Sequence, residues 1–481
     1  MNTHHSSEKK LTWLFVIACL SFIPTLFIGY VGEEGLYTIS SYEMVYSHHY
    51  LTPLFLGGVY WRPPLFNWLI ISIAQCLGWT HMLIASRLVT ALATLGTSFL
   101  LLHLSRVLFK NKPLSYLIAA IYLTSDAGLY HGWIAYADPL YTFLGFAAVT
   151  CLWLSILQNR LIYFIASLFF LSAAYLTKAL TVYAFYFSML AGLAWYYKAQ
   201  RRIALSPTRL ILLALALSLP FLWAKITHNQ NGEGMLNDIV QKLSISPEST
   251  PSFSNYLLNA GLFLLAFFYK LFPISFLFFY FLIQKRFAEY RHFRGAREAL
   301  FALTMAGLNF IPYCLSPETH EPRYIMMIYP FVSLFLGVFF WNLNQLKPVI
   351  LWIAGLLLIK GIVICIGLPI YNIEYRGDYS KTAMMILNKT KNTPLYSIDG
   401  SATGESVLAF MDLQHAPRPP ITENIPTTGP YFVLRTLDQA KTCANEHFVE
   451  TYPSAKSNSP VYLFSCPYSP PIKWTYSSGK F

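Results

Sequence analysis

Five ionisable residues in the first two-thirds of the chain border long apolar runs, where charge is costly and needs a reason. Glu33 stands in Gly32-Glu33-Glu34-Gly35-Leu36-Tyr37, Arg62 in Tyr60-Trp61-Arg62-Pro63-Pro64, and Asp138 in Tyr136-Ala137-Asp138-Pro139-Leu140. Lys178 stands in Leu176-Thr177-Lys178-Ala179, and Arg323 in Glu321-Pro322-Arg323-Tyr324. A carboxylate such as Glu33 can take a proton from a hydroxyl. The arginine fork suits phosphate oxygens, and lysine adds a point charge. Such a set fits group transfer from a phosphate ester: the phosphate leaves readily once its charge is met, and the weak hydroxyl nucleophile needs the base. Structural readings compete at each position. The Glu33-Glu34 pair suits a helix N-terminus, Asp138 before a proline suits an N-cap, and Lys178 and Arg323 suit snorkelling to an interface.

The elements that would position these residues follow from composition. Of 481 residues only 12% are charged, against about a quarter in soluble domains. Hydrophobic residues reach 55%, aromatics 17%, and mean hydropathy is +0.46. A membrane protein is implied. Apolar stretches of spanning length lie near 11–31, 82–108, 113–131, 137–157, 161–177, 179–197, 209–227, 256–284, 298–315, 324–343 and 347–369, so about eleven spans are expected. Lys and Arg concentrate in alternate connectors, with few on the other side (Arg62, Lys178, Lys225, Lys242 and Arg323). This asymmetry puts the N-terminus in the cytoplasm and the C-terminus outside. It also accounts for the net charge of +12 without a nucleic-acid partner. The first apolar stretch lacks a clear cleavage site and reads as a retained anchor. All five candidate residues then project to the outer side, where one cavity could gather them.

The first outside loop, 32–81, carries two amphipathic, aromatic pieces expected to form helices along the membrane interface. After residue 370 the texture changes, with 11 of the 28 prolines and 9 of the 22 acidic residues in 371–481. The expected organisation is a transmembrane catalytic domain, 1–370, followed by a small α+β or β-rich extracytoplasmic domain, 371–481. Cys443 and Cys466 fall in the latter, where an oxidising compartment permits a disulfide, although spacing alone does not fix the geometry.

These stretches resemble the large polytopic glycosyltransferases that use polyprenyl-phosphate sugars, the GT-C fold. They are most similar to the aminoarabinose lipid A transferases and the related protein O-mannosyltransferase-like enzymes. The likeness rests on Glu33-Glu34-Gly35-Leu36-Tyr37, Tyr60-Trp61-Arg62-Pro63-Pro64-Leu65, Asp138-Pro139-Leu140, Leu176-Thr177-Lys178, and Arg323-Tyr324 with Pro330, over roughly residues 10–345. It implies a bacterial inner-membrane enzyme with a periplasmic C-terminus that moves a sugar from a polyprenyl-phosphate donor to a lipid A, glycan or protein acceptor. Carried over by position, Glu33 and Asp138 are catalytic, and Arg62, Lys178 and Arg323 contact the donor phosphate. Glu34, Tyr37, Tyr60 and Tyr324 contact substrate. The sequence departs from the family in having Glu33 where Asp is usual, Leu36 for an Arg, Trp61 for an acid and Arg62 for a Lys. Without the acid at Trp61 a bound divalent metal loses its ligand, so no metal or other cofactor is expected. A flippase of lipid-linked sugars would show related halves with broken helices in matching positions, and no such repeat is present. A non-catalytic relative acting in envelope-glycan assembly is the third reading, motivated by Leu36 and Trp61.

Overall fold

The computed structural model describes residues 2–60, 62–178, 180–231, 253–284, 295–314, 322–343, 346–391, 393–414, 419–426, 429–452 and 460–467. Trp61, Lys242 and residues 468–481 lie outside the described residues. The chain forms two compact units. One comprises Met1–Phe27, Arg62–Phe66 and Arg87–Val363; the other comprises Ile28–Trp61, Asn67–Ser86 and Ile364–Phe481. The grouping therefore does not follow a single division at residue 370, because most of the first outside loop is bound to the C-terminal segment.

The first unit is helical. Among the described residues of the whole chain, six helices are long and apolar enough to cross a membrane: Glu8–Phe27, Trp79–Phe109, Ala137–Leu157, Pro207–Thr227, Arg323–Asn342 and Leu346–Lys389. The chain is thus a multi-pass membrane protein. Two of these helices are central: 83% of the apolar window of Ala137–Leu157 and 89% of that of Arg323–Asn342 is buried in protein, against 28% for Pro207–Thr227. Exposed side chains such as Phe169, Ile211, Leu215 and Phe221 form the apolar surface that lipid solvates. Close approach in the centre uses small residues. A Cβ on Gly145 would lie 2.4 Å from the Met327 methyl, and Phe146 packs edge-on against Phe331 at 5.6 Å.

The expected spans 113–131 and 256–284 are not continuous helices. The stretch 113–131 is helical as Lys112–Leu123, started by Asn111, whose side chain accepts from Leu114 N at 3.1 Å. The helix stops because the Thr124 and Ser125 hydroxyls donate to the carbonyls of Ala120 (2.9 Å) and Tyr122 (2.6 Å). The chain then makes one short turn of helix, Asp126–Leu129, and a compact loop. The stretch 256–284 divides into Phe253–Ala266, a π-helical turn at Phe267–Leu271, and Ser275–Ile283. Pro273 at the division cannot donate a backbone hydrogen bond.

The second unit is α+β. Its mixed sheet runs in the order Leu395–Ser397, Tyr431–Leu434, Val461–Cys466, His447–Tyr452, the first pair parallel and the others antiparallel. Alternation along the strands sends Leu434 and Leu463 to one core with Val407, Leu408, Met411 and Ile386. Val433 and Phe464 go to the other, with Cys443 and Cys466, which are disulfide-bonded. The first-loop helix Glu34–Tyr46 is not simply an amphipathic surface helix. Nine of its thirteen residues are buried, and it packs against Ala402–Gln414. Asn67 Nδ2 donates to Ser41 Oγ at 2.9 Å, and Trp68 Nε1 to Tyr50 O at 2.7 Å, joining the second loop helix, Leu65–Leu77, to the first piece.

Gly35 sets the spacing of that helix pair, since a Cβ there would stand 2.5 Å from the backbone carbonyl of Glu405. Gly35→Ala is expected to destabilise this unit by about 2 kcal/mol, read as a lowered melting temperature of the purified full-length protein.

Candidate functional site

The helix Ala137–Leu157 begins with Tyr136 as its N-cap residue and Asp138 in its first turn. Asp138 is therefore two positions past the N-cap and does not cap the helix as the sequence suggested. Its carboxylate is instead ion-paired with Lys178 Nζ, and both side chains are largely buried. Lys178 is the C-cap residue of Leu161–Thr177, the antiparallel neighbour of Ala137–Leu157. A short connector makes these two helices adjacent, and their open ends bring residues 138 and 178 together.

A third element closes on the pair. The 3₁₀ segment Pro322–Ile328 lies against Ala137–Leu157 and leads into the proline-started helix Tyr329–Asn342. Lys178 Nζ sits 4.1 Å from the centre of the Tyr324 ring. The Arg323 guanidinium lies 4.4 Å from the Tyr136 ring centre and 5.8 Å from that of Tyr324. Arg62 and Arg323 both act electrostatically on Lys178. The first unit thus brings together Arg62, Asp138, Lys178, Arg323 and Tyr324.

The sequence reading missed three members of this neighbourhood. Tyr136 is the aromatic face under Arg323. His131 Nδ1 is 2.6 Å from Asp126 Oδ2, with both side chains mostly buried, and His131 interacts electrostatically with Asp138 and Arg323. The signal was present in the sequence: a span drawn over 113–131 holds two ionisable residues near one end, which a lipid-facing helix rarely does.

Glu33, Glu34, Tyr37 and Tyr60 belong to the second unit. Glu33 is exposed, stands at the N-cap of Glu34–Tyr46 and makes no capping hydrogen bond with its side chain. Glu34 is fully buried, and its Oε2 accepts from Val31 N at 2.7 Å, closing the turn that enters the helix. Tyr37 is half-buried on the same helix, and Tyr60 packs beside Phe55 at 6.4 Å. The same unit contains a cavity of about 1080 Å³, lined by Glu43, Tyr46, Lys391, Tyr396, Asp412 and Asn424 among others. Burial raises the Glu43 carboxyl to about 7, with Glu423 adding to the effect against hydrogen bonds from the backbone of Gly57 and Leu56. Asp412 is driven well above the usual carboxylate range by burial and by the nearby Glu43.

No family model matches the chain. A stretch of 196 residues is 24% identical to the undecaprenyl phosphate-alpha-4-amino-4-deoxy-L-arabinose arabinosyl transferase 2 of Proteus mirabilis (strain HI4320), covering 40% of this chain. That stretch spans only 35% of the relative's own length. The fold comparison is broader. The crystal structure of ArnT from Cupriavidus metallidurans bound to undecaprenyl phosphate superposes with a TM-score of 0.66 at 15% identity, over 94% of this chain and 97% of that one. The chain has the ArnT fold. The apo form of the same ArnT gives a TM-score of 0.65 over the same shares of both chains, again at 15% identity.

The raised Glu43 carboxyl has a definite sign for stability. The folded protein holds a proton there that the unfolded chain releases at lower pH, so stability falls as pH rises from the usual glutamate range through about 7. Glu43→Gln is expected to raise stability by about 1–2 kcal/mol at pH 8 and to change it little near pH 5. Thermal melts of both proteins at the two pH values provide the check.

Proposed function

We propose that the protein is an inner-membrane glycosyltransferase that moves a sugar from an undecaprenyl-phosphate-type donor to a hydroxyl of an envelope acceptor on the periplasmic side. The observation that carries this reading is the cluster of Arg62, Lys178 and Arg323 around Asp138 at one end of the central helices, in a chain with the ArnT fold. Lys178 and Arg323 rest on aromatic rings, and their ammonium and guanidinium groups are of the kind that donates to phosphate oxygens. In this reading the bond from the sugar's anomeric carbon to the phosphate oxygen breaks, and the electron pair passes to a phosphate already faced by cations. Asp138 keeps Lys178 charged and aimed. Glu33 is the proposed base that takes the acceptor proton, its carboxylate being exposed at the start of Glu34–Tyr46. Glu34, Tyr37, Tyr60 and Tyr324 are proposed substrate contacts.

The same reading takes the shorter apolar helices Lys112–Leu123, Leu161–Thr177 and Leu257–Tyr269 as crossings and keeps Leu65–Leu77 in the first outside loop. With these and the neighbouring helices, we propose about eleven crossings, an N-terminus in the cytoplasm and a C-terminus in the periplasm, as the Lys and Arg distribution favours. The acceptor class, whether lipid A, another glycan or a protein, is left to experiment. The proposed reaction needs no metal, so transfer that persists in a chelator is expected.

Glu33→Gln should lower sugar transfer by at least about 100-fold while leaving insertion and melting temperature unchanged. Mass spectrometry of envelope glycolipids and glycoproteins from a deletion strain complemented with each form measures this, and full transfer by the variant would remove Glu33 from the role.

A further inference from the structure

The segment between Lys112–Leu123 and Ala137–Leu157 is built to hold one imidazole. Gly128 and Gly132 let it fold so tightly that a Cβ on either would fall 1.7 Å from a backbone oxygen, of Leu123 and Ala127 respectively. Thr94 donates to Gly132 O at 2.7 Å and Thr90 to Trp133 O at 3.1 Å, so the loop is pinned to Met82–Phe109 on both sides of the next bend. Trp133 Nε1 donates to Leu129 O at 3.2 Å, closing the loop on itself. His131 projects from this loop, its ring edge-on to Tyr130 at 4.9 Å and its Nδ1 held by Asp126. With Nδ1 committed to a carboxylate, Nε2 becomes the functional nitrogen. The His131 side chain is 16% exposed, enough to be reached by a ligand.

From this geometry we propose that His131, oriented by Asp126, is a further ligand of the lipid phosphate, donating from Nε2 to the phosphate that remains on the carrier after the sugar has left. The proposal rests on the glycosyltransferase reading and deepens it. Charge supplies the argument. A phosphate joined to both sugar and lipid carries one negative charge, and the released lipid phosphate carries up to two. Among the described residues of this cluster, Arg62, Lys178 and Arg323 face Asp126 and Asp138, a surplus of one positive charge. Protonated His131 raises the surplus to two, matching the released phosphate.

The groups facing His131 are Asp126 on its own segment, Asp138 at the start of Ala137–Leu157 and Arg323 on Pro322–Ile328. Tyr329 of the following helix interacts with Asp126. Burial opposes charge on the imidazole, but the Asp126 carboxylate, by charge and hydrogen bond, and Asp138 outweigh it. Arg323 acts against them, and the net effect is a pKa above the ordinary histidine value. The positive charge therefore persists to higher pH than on an ordinary histidine and is lost as pH rises through the raised value.

The test is binding of undecaprenyl phosphate to the purified full-length protein in nanodiscs, measured from about pH 6 to about pH 9. The lipid phosphate titrates too, but identically for every variant, so ratios between proteins isolate the side chain. Wild type should lose about tenfold more affinity over this range than His131→Gln. Asp126→Asn, which keeps the imidazole but removes its carboxylate, should move the loss to lower pH. Lys178→Met should weaken binding at every pH and keep the same profile. Melting curves without lipid confirm that each variant is folded. An unchanged profile in His131→Gln, or an unshifted one in Asp126→Asn, overturns the proposal while leaving the glycosyltransferase reading in place. Failure of wild type to bind the lipid overturns both.

Discussion

The Asp138–Lys178 ion pair is the constraint around which the first unit is arranged. Neither charge tolerates burial alone, and breaking such a pair leaves an uncompensated charge. Its two residues end neighbouring helices, so the pair also fixes how those helices align along their length. That alignment places Tyr324 under Lys178 and Tyr136 under Arg323. An apolar substitute at 138 and 178 would pack well, but it would leave nothing to hold a cation at the ends of these helices.

Aromatic rings accomplish what further carboxylates would undo. A cation neutralised by an acid has little left for an anionic ligand, whereas a ring stabilises the cation and leaves its hydrogen-bond donors available. Tyr136 and Tyr324 lie against Arg323 and Lys178, and the Asp138 carboxylate orders Lys178. The division of labour is consistent with a site for a mobile phosphate rather than a permanent salt-bridge network.

The sequence was informative where structure is local. The helices Ala137–Leu157 and Leu161–Thr177 coincide with their apolar runs, because a run bounded by Asp138-Pro139 at one end and an Asn159 turn between the two has few other ways to fold. It was uninformative where long-range contacts decide. Residues 124–131 fell within an expected span because the strongly apolar stretch 113–123 precedes them, yet Thr124, Ser125 and Asp126 are buried in protein. Glu34–Tyr46 has its apolar face covered by Ala402–Gln414, more than 350 residues later, and no local pattern announces such a partner. Asp138, Lys178 and Arg323 were legible as misplaced charges. His131 and Asp126 were legible in the same way but were passed over, because they fell at the end of a stretch read as a span.

The second unit shows how sequence-distant loops can be joined without a common sheet. Glu43 Oε2 accepts from Gly57 N at 2.9 Å, Asp412 Oδ1 accepts from Ile421 N at 2.9 Å, and Glu423 N donates to Leu56 O at 2.7 Å. Each acid spends one oxygen on a backbone amide that a strand would otherwise have paired. The second oxygens, Glu43 Oε1 and Asp412 Oδ2, are buried with no hydrogen-bond partner among the described atoms. Ionising both would leave two like charges poorly solvated beside each other, so protonation is the cheaper state, and the stitch holds best when the acids are neutral. The pH sensitivity of this unit is then a consequence of fastening the 51–60 and 419–426 loops with carboxyl groups, and it is separate in origin from the charge balance around Asp138 and Lys178.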